Sequence, residues 1–412
     1  MSALEDAEQH QWYIEELSVE DNAQVLVAES AGCVQSASSF TPDEEKTDAA
    51  ATFTPVDVSP AEVDSAQCKI ADVVSSRHVQ PPSAALLSTS WACKTIDSKS
   101  SRHPPTPRGG CSWTKVESKY VLFGGADASQ KHFDDVYCFD PETGTWEKTS
   151  TGGTPPSPRS SHSAIVVGKS LVIYGGINGN DGVTFNDLFE LETGSMRWTR
   201  LHCANSPPRN SHTAVTHGDS MVIIGGASPE GPTDDVYMID LSDRSSLTFR
   251  RVSCQLSCGQ AGECTRVPVG REMHSACIYD SKTTGDGSPT ILVMGGRSAE
   301  GVLRDLFSLC TDSWSWIRLK DAPSPRCAHS ASLIGGAGIM AIHGGWDGGV
   351  TVANDLHLYD VNSGEWMMPR ISPLPSGRFA HAACAWGDRS LLVYGGVNPE
   401  ENLTDVVVLT AR

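Results

Sequence analysis

The 412-residue sequence has no run of eighteen apolar residues, so no stretch reads as a transmembrane helix. Its first residues, MSALEDAEQHQWY, are acidic and lack a basic stretch followed by an apolar core, so no secretory signal is expected and a cytoplasmic protein is predicted. Positive charge is scarce. Lys and Arg number 31 against 50 Asp and Glu, a net charge of −19, which argues against nucleic acid or membrane insertion as a main mode of action. The 13 cysteines show no paired spacing, which in such a chain points to reduced thiols rather than a disulfide framework. Gly-x-Ser-x-Gly, His-Glu-x-x-His and phosphate-cradling glycine loops are missing, so no catalytic residue, metal or cofactor is predicted.

What is present is a repeat. Residues 158–198 contain two apolar runs, AIVV (164–167) and LVIY (171–174), on either side of a Gly-Lys-Ser turn. A Gly-Gly doublet, a polar loop, an Asn-Asp pair, the run LFEL (188–191), a Glu-Thr-Gly turn and a Trp follow. Short apolar runs broken by Gly, Asn and Asp read as antiparallel strands, and one such sheet cannot bury both faces alone. The doublet recurs at 124–125, 175–176, 225–226, 295–296, 344–345 and 395–396, with first glycines 51, 50, 70, 49 and 51 residues apart. Upstream of these doublets lie Arg108, Arg159, Arg209, Arg271, Arg326 and Arg378. Three residues after five of these arginines come His162, His212, His274, His329 and His381, with Cys111 in the first copy. After the doublets come Asp135, Asp187, Asp235, Asp305, Asp355 and Asp405, then Trp146, Trp198, Trp316 or Trp366, with Phe249 in the third copy.

A period near 50 with a doublet and a Trp resembles the kelch repeat, over roughly residues 90 to 412. The resemblance implies an all-β fold, a six-bladed kelch β-propeller. In that frame the glycines permit positive φ and close backbone approach, the Trp fills the gap between blades, and the Asp caps a loop. The sixth copy ends at LTDVVVLTAR (403–412) without an outer strand, whereas STSWACKTI (88–96) offers an outer strand and Trp91 with no doublet before it. Residues 88–96 are therefore predicted to complete the last blade and close the ring.

The expected domains are a disordered acidic tail, 1–86, and the propeller, 87–412. The tail holds 16 acidic and 3 basic residues, a net of −13, and few large apolar side chains, too little to offset its ordering entropy. Within it, QWYIEELSVE (11–20) could dock as a short helix, and Thr41-Pro42, Thr54-Pro55 and Ser59-Pro60 look like phosphorylation sites. The 70-residue spacing reflects two insertions. Residues 250–270 should overhang the channel mouth, and 279–290 should lengthen a hairpin on the opposite face. Cys254, Cys258 and Cys264 in the first lack a fourth zinc ligand unless His202 or Cys203 supplies it; a redox-labile pair between Cys254 and Cys258 is a second reading, and inert loop thiols are the simplest.

The resemblance implies a binding platform, a scaffold or adaptor holding a protein or peptide on the face of the post-doublet loops. The alternative is a metal-dependent enzyme or specifier using the same channel mouth. Some kelch-like propellers are copper oxidases, and plant specifiers carry Glu-x3-Asp-x3-His, but here Glu401 and Asp405 are followed by Leu409. No appended F-box, BTB or acyl-CoA-binding domain is recognisable. Candidate partner-binding residues are the six arginines, which should ring the channel mouth and suit carboxylates. Residues after the doublets that do not repeat are added to them: Asp127, Asn178, Asn180, Arg297, Trp346, Asp347 and Asn398. Trp346, in GGWDGG, is either packed on a neighbouring loop or a binding anchor. A third expectation, that the acidic tail folds back on the arginines, is autoinhibitory.

Overall fold

In the computed structural model each repeat folds as one twisted antiparallel sheet, and six such sheets are arranged around a channel. The structure describes residues 90–96, 104–256, 267–279, 288–335 and 338–412. The expectations for the tail, its boundary at 86/87, Cys258, Cys264 and the tips of both insertions lie outside the described residues. Blade 2 shows the plan. Ser163–Val167 pairs with Ser170–Tyr174, which pairs with Leu188–Glu192, which pairs with Arg197–Leu201 at the rim. The second strand is the most buried in every blade because both its faces meet a neighbouring blade, and its sequence is correspondingly apolar throughout (LVIY, MVII, ILVM, IMAI, LLVY).

The ring closes where the sequence places the closure. Ser90–Ile96 is the outer strand of blade 6, antiparallel to Val406–Ala411, with Trp91 opposite Ala411 and Ile96 opposite Val406. Its other edge is covered in parallel by Arg370–Ser372, arriving from blade 5. Ile96 lies beside Val406, just past the post-doublet loop, whereas Ser90 lies at the far end, where Arg412 N–H donates to its carbonyl. The chain preceding Ser90 therefore joins the propeller at the face opposite the post-doublet loops.

Six apolar clusters fill the gaps between blades, each holding the outer-strand aromatic of one blade and the second strand of the blade before. Trp198 lies against Phe123, ring centroids 5.2 Å apart, and Phe249 replaces Trp in blade 3 by lying 4.7 Å from Tyr174. Trp91 packs with Ile339 and Ala341 of blade 5, so the closing strand contributes to the core as well as to a hydrogen-bonded edge. Burying one such ring removes on the order of 200 Å² from water, worth about 5 kcal/mol.

Candidate functional site: the channel mouth

The doublets and arginines build the mouth from the inside. The first glycine of each has φ between 59° and 67° and the second between 92° and 103°, conformations side chains disfavour. A Cβ on Gly175 would clash with the Arg209 carbonyl oxygen of the next blade, and one on each of the other first glycines would stand 2.5 to 3.0 Å from the matching arginine carbonyl oxygen. That closeness lets the second glycine donate to the same carbonyl, as Gly176 N does to Arg209 O at 2.8 Å, in all six blades. The doublet is thus an inter-blade clasp.

The arginine side chains turn back into their own blades. Arg108, Arg159, Arg209, Arg271, Arg326 and Arg378 are 0 to 3 % exposed. Each guanidinium pairs with the Asp that ends its own post-doublet loop, at 2.5 to 3.1 Å (Arg159–Asp187 2.6 Å, Arg378–Asp405 2.9 Å). In five blades Nη1 also donates to the carbonyl of the first glycine, and Arg108 and Arg159 stack on Phe133 and Phe185 at 4.0 and 3.9 Å. The Asp, expected to cap its loop through its own backbone, instead accepts from arginine and fastens the loop to the blade. A ring of arginines at the mouth was expected to offer itself to a partner's carboxylates; burial under the loops instead leaves these side chains to act through the loops they hold.

The histidines form a second belt. Nε2 of His162, His212, His274, His329 and His381 lies 2.7 to 2.9 Å from a hydroxyl in the preceding blade: Ser112, Ser163, Thr213, Ser275 and Ser330 respectively. The hydroxyl always belongs to the residue that follows that blade's own histidine position. Blade 1 has Cys111 in place of histidine, and the residue that should serve it in blade 6 is Ala382, so donor and acceptor are missing together. Burial, with a lesser contribution from the neighbouring arginine, lowers the pKa of His162, His212 and His329 to about 3 and holds His274 well below the usual value, chiefly by burial. These rings are neutral and structural at neutral pH. The sequence carries the signal as His-Ser or His-Thr dipeptides, legible only when each histidine is taken with the residue after it.

The throat is a third ring. Gly110, Ser161, Ser211, Met273, Ala328 and Ala380 all have φ between 51° and 64°, and the N–H of each donates to the carbonyl of its counterpart in the preceding blade at 2.8 to 2.9 Å. Six backbone bonds close a circle. The ring, with Cys111 and the belt histidines, lines a cavity of about 230 Å³. Its wall over blades 5 and 6 is apolar, with Cys327, Trp346 and Phe379 buried together against Met273, Val302 and Val397. Its wall over blades 2 and 3 presents Ser160, Ser161, Asn210 and Ser211.

The remaining expected residues divide. Trp346 is packed: 7 % exposed, its ring 6.5 Å from Phe379 and Nε1 donating to the Gly349 carbonyl at 2.6 Å, while still lining the cavity. Asp127, Asn178, Asp347 and Asn398, read as non-repeating, occupy one repeated position, two residues past the doublet, with Ser228 and Ser298 as the other two. A side-chain oxygen at five of these accepts a backbone N–H of the same loop, as Asp347 Oδ1 does from Gly349 N at 2.8 Å, and Asn178 Nδ2 donates to Asp181. They are turn formers. Asn180 is exposed and donates to Gln130 O at 2.8 Å, tying the loops of blades 1 and 2. Arg297 is paired through Nε to Glu272 at 3.0 Å, an ion pair in the blade 4 wall. Missed by the sequence were Val350 and Val183, exposed by 68 % and 41 % at loop tips of this face.

Among the described residues no three His, Cys, Asp or Glu side chains converge as metal ligands. Cys254 lies half-buried beside Trp316 and Val252, and burial pushes its thiol up to about 11, so it stays protonated. No described helix is long and apolar enough to cross a membrane.

Known proteins share this architecture. The chain is 28 % identical over 292 residues to a leucine-zipper-like transcriptional regulator 1 homolog of Drosophila melanogaster, covering 67 % of this chain and 28 % of that one. It is 29 % identical over 349 residues to an F-box/kelch-repeat protein of Arabidopsis thaliana, covering 73 % and 68 %. Over a shorter stretch of 89 residues it is 43 % identical to acyl-CoA-binding domain-containing protein 5 of the same plant, 21 % of this chain and 13 % of that one. The chain thus spans under a third of the first two curated relatives it matches. The model of the Attractin/LZTR1 β-propeller matches residues 119–407, and with six blades built on the doublet, arginine and aromatic pattern the chain belongs to that kelch-type propeller family.

Proposed function

We infer that this propeller is a protein-interaction module, a scaffold or adaptor that holds a protein or peptide at the channel mouth. The observation that carries the reading is the cavity at the backbone ring. It has one wall of Cys327, Trp346 and Phe379 and one of serines and an asparagine, and the loop that carries Trp346 also holds exposed Val350. An apolar pocket with a few convergent polar groups, set on a rigid frame, is suited to anchoring a partner's side chain. The histidines and arginines, buried and tied to hydroxyls and aspartates inside the fold, serve that frame rather than acid–base chemistry.

Affinity purification of the intact chain beside a Val350→Asp variant tests this. Val350 is exposed, so the variant leaves the packing intact, whereas Arg159→Ala would strand Asp187 and cost about 3–5 kcal/mol of stability. A partner held by the intact chain and lost from the variant is the expected result. A partner retained equally by both removes the mouth from consideration.

A further inference from the structure

Resting on that reading of the mouth, we propose that its partner is a positively charged peptide segment bearing an apolar anchor. The argument is one of charge placement. The six post-doublet loops, residues 126–135, 177–187, 227–235, 297–305, 346–355 and 397–405, contain 15 Asp and Glu. Six of these are the aspartates fastened to the buried arginines. The other nine face three cations, Lys131, Arg297 and Arg304, and of these Arg297 is paired with Glu272 and Arg304 lies 3.9 Å from Asp321. With the Arg–Asp pairs set aside, these loops carry a net −6. Residues 87–412 as a whole hold 34 acidic and 28 basic side chains, also a net −6. Everything in the propeller outside these six loops therefore sums to zero, although Lys148 and Arg251 also reach two of the loop aspartates, Asp135 and Asp235, at 3.7 and 2.5 Å. Asp181, Glu230, Glu300, Glu400 and Glu401 are exposed on those loops.

The same geometry removes the charge that would have favoured an acidic ligand. The arginines that repeat around the mouth are buried and paired with aspartates, so the accessible rim is anionic although the sequence motif is cationic. Field lines from a one-sign rim around a low-dielectric wall focus on the opening and draw in the opposite charge. The apolar wall of Trp346, Phe379 and Cys327, with Val350 exposed on the same loop as Trp346, supplies the seat for one large apolar side chain, with Lys or Arg on its flanks meeting the rim. The chain's own N-terminal 86 residues do not fit this mouth. They carry a net −13, the same sign as the rim, and the chain enters the propeller at the opposite face.

The test uses the full-length chain, immobilised and panned with a random 12-residue display library. The most enriched sequence is then synthesised with a fluorophore and titrated by anisotropy at low and high salt. Two variants are compared, Val350→Asp and the triple Glu230→Lys/Glu300→Lys/Glu400→Lys, all at exposed positions. The expected peptides are net positive with a large apolar residue, lose affinity at least about tenfold in either variant, and weaken as salt rises. Neutral or acidic peptides lost from Val350→Asp but indifferent to the triple variant would overturn the charge inference and leave the mouth as the binding site. Basic peptides indifferent to both variants, held for example by the acidic N-terminal segment, would overturn both readings, as would a library from which nothing is enriched.

Discussion

Cys111 and Ala382 show how much a single pair of residues reveals in a repeat. In five interfaces a buried imidazole meets a hydroxyl of the preceding blade, and in the sixth both partners are replaced. Keeping the histidine with Ala382 would bury a ring nitrogen without its partner, at a cost of about 1–3 kcal/mol, whereas a small hydroxyl kept beside Cys111 can turn to another acceptor and costs less. Cys111→His alone is therefore expected to destabilise, Ala382→Ser alone to be neutral or mildly destabilising, and the double variant to recover stability. The coupling in a urea-unfolding double-mutant cycle should be about 1 kcal/mol or more. Additive effects would mean that the belt bonds contribute nothing specific. The legibility of the site differs at this scale. The arginines, glycines and histidines were visible as a repeat, but a sequence shows spacing and not direction. The guanidinium turns inward rather than outward because an Asp 26 to 34 residues further on accepts from it. Likewise Asp127, Asp347 and Asn398 look individual until the loop backbone shows that Ser228 and Ser298 do the same work.

At the scale of the element, the closing strand was the most legible feature, because an outer strand without its blade and a blade without its outer strand leave one pairing. Residues 88–96 were expected and Ser90–Ile96 is found. Blade 4 was less legible. There the strands on either side of the doublet run on as Thr290–Ser298 and Gly301–Cys310, with a bulge between Met294 and Gly296, because only a two-residue turn separates them. Trp91 is fully buried between blades 5 and 6, and it holds the strand that joins the first blade's polypeptide to the last. Trp91→Ala should cost about 3–5 kcal/mol in chemical denaturation, as for any large aromatic removed from a core. It should also increase protease cleavage within the closing strand itself, Ser90–Ile96. A loss below 1 kcal/mol would show that the ring is held shut by the inter-blade backbone bonds alone.

For the whole molecule the belt has a consequence in pH. His162, His212, His274, His329, His343 and His381 are buried on the channel side of the six-bladed ring, and burial lowers the pKa of every one, to about 3 for His162, His212 and His329 and to about 4 for His343. An unfolded histidine titrates near 6.5. A folded-state pKa below the unfolded one means that the unfolded chain takes up protons first, so the stabilisation is complete above about pH 6.5 and is lost as pH falls toward the folded values. Each histidine contributes about 1 kcal/mol per pH unit within that window, and six acting together make a slope that few surface groups could produce. The lowered carboxylate pKa of Asp355 acts in the same direction at still lower pH; burial alone would raise it, and the bonds from His357 and Arg326 outweigh that. The melting temperature should therefore be flat from pH 8 to about 7 and fall steeply from 6.5 to 5. Replacing His162 by Gln, which keeps a hydrogen-bonding group near Ser112 without a titratable ring, should make that fall shallower by roughly one sixth while lowering the plateau. A profile whose slope between pH 6.5 and 5 is unchanged by the substitution would place the acid sensitivity outside the histidine belt.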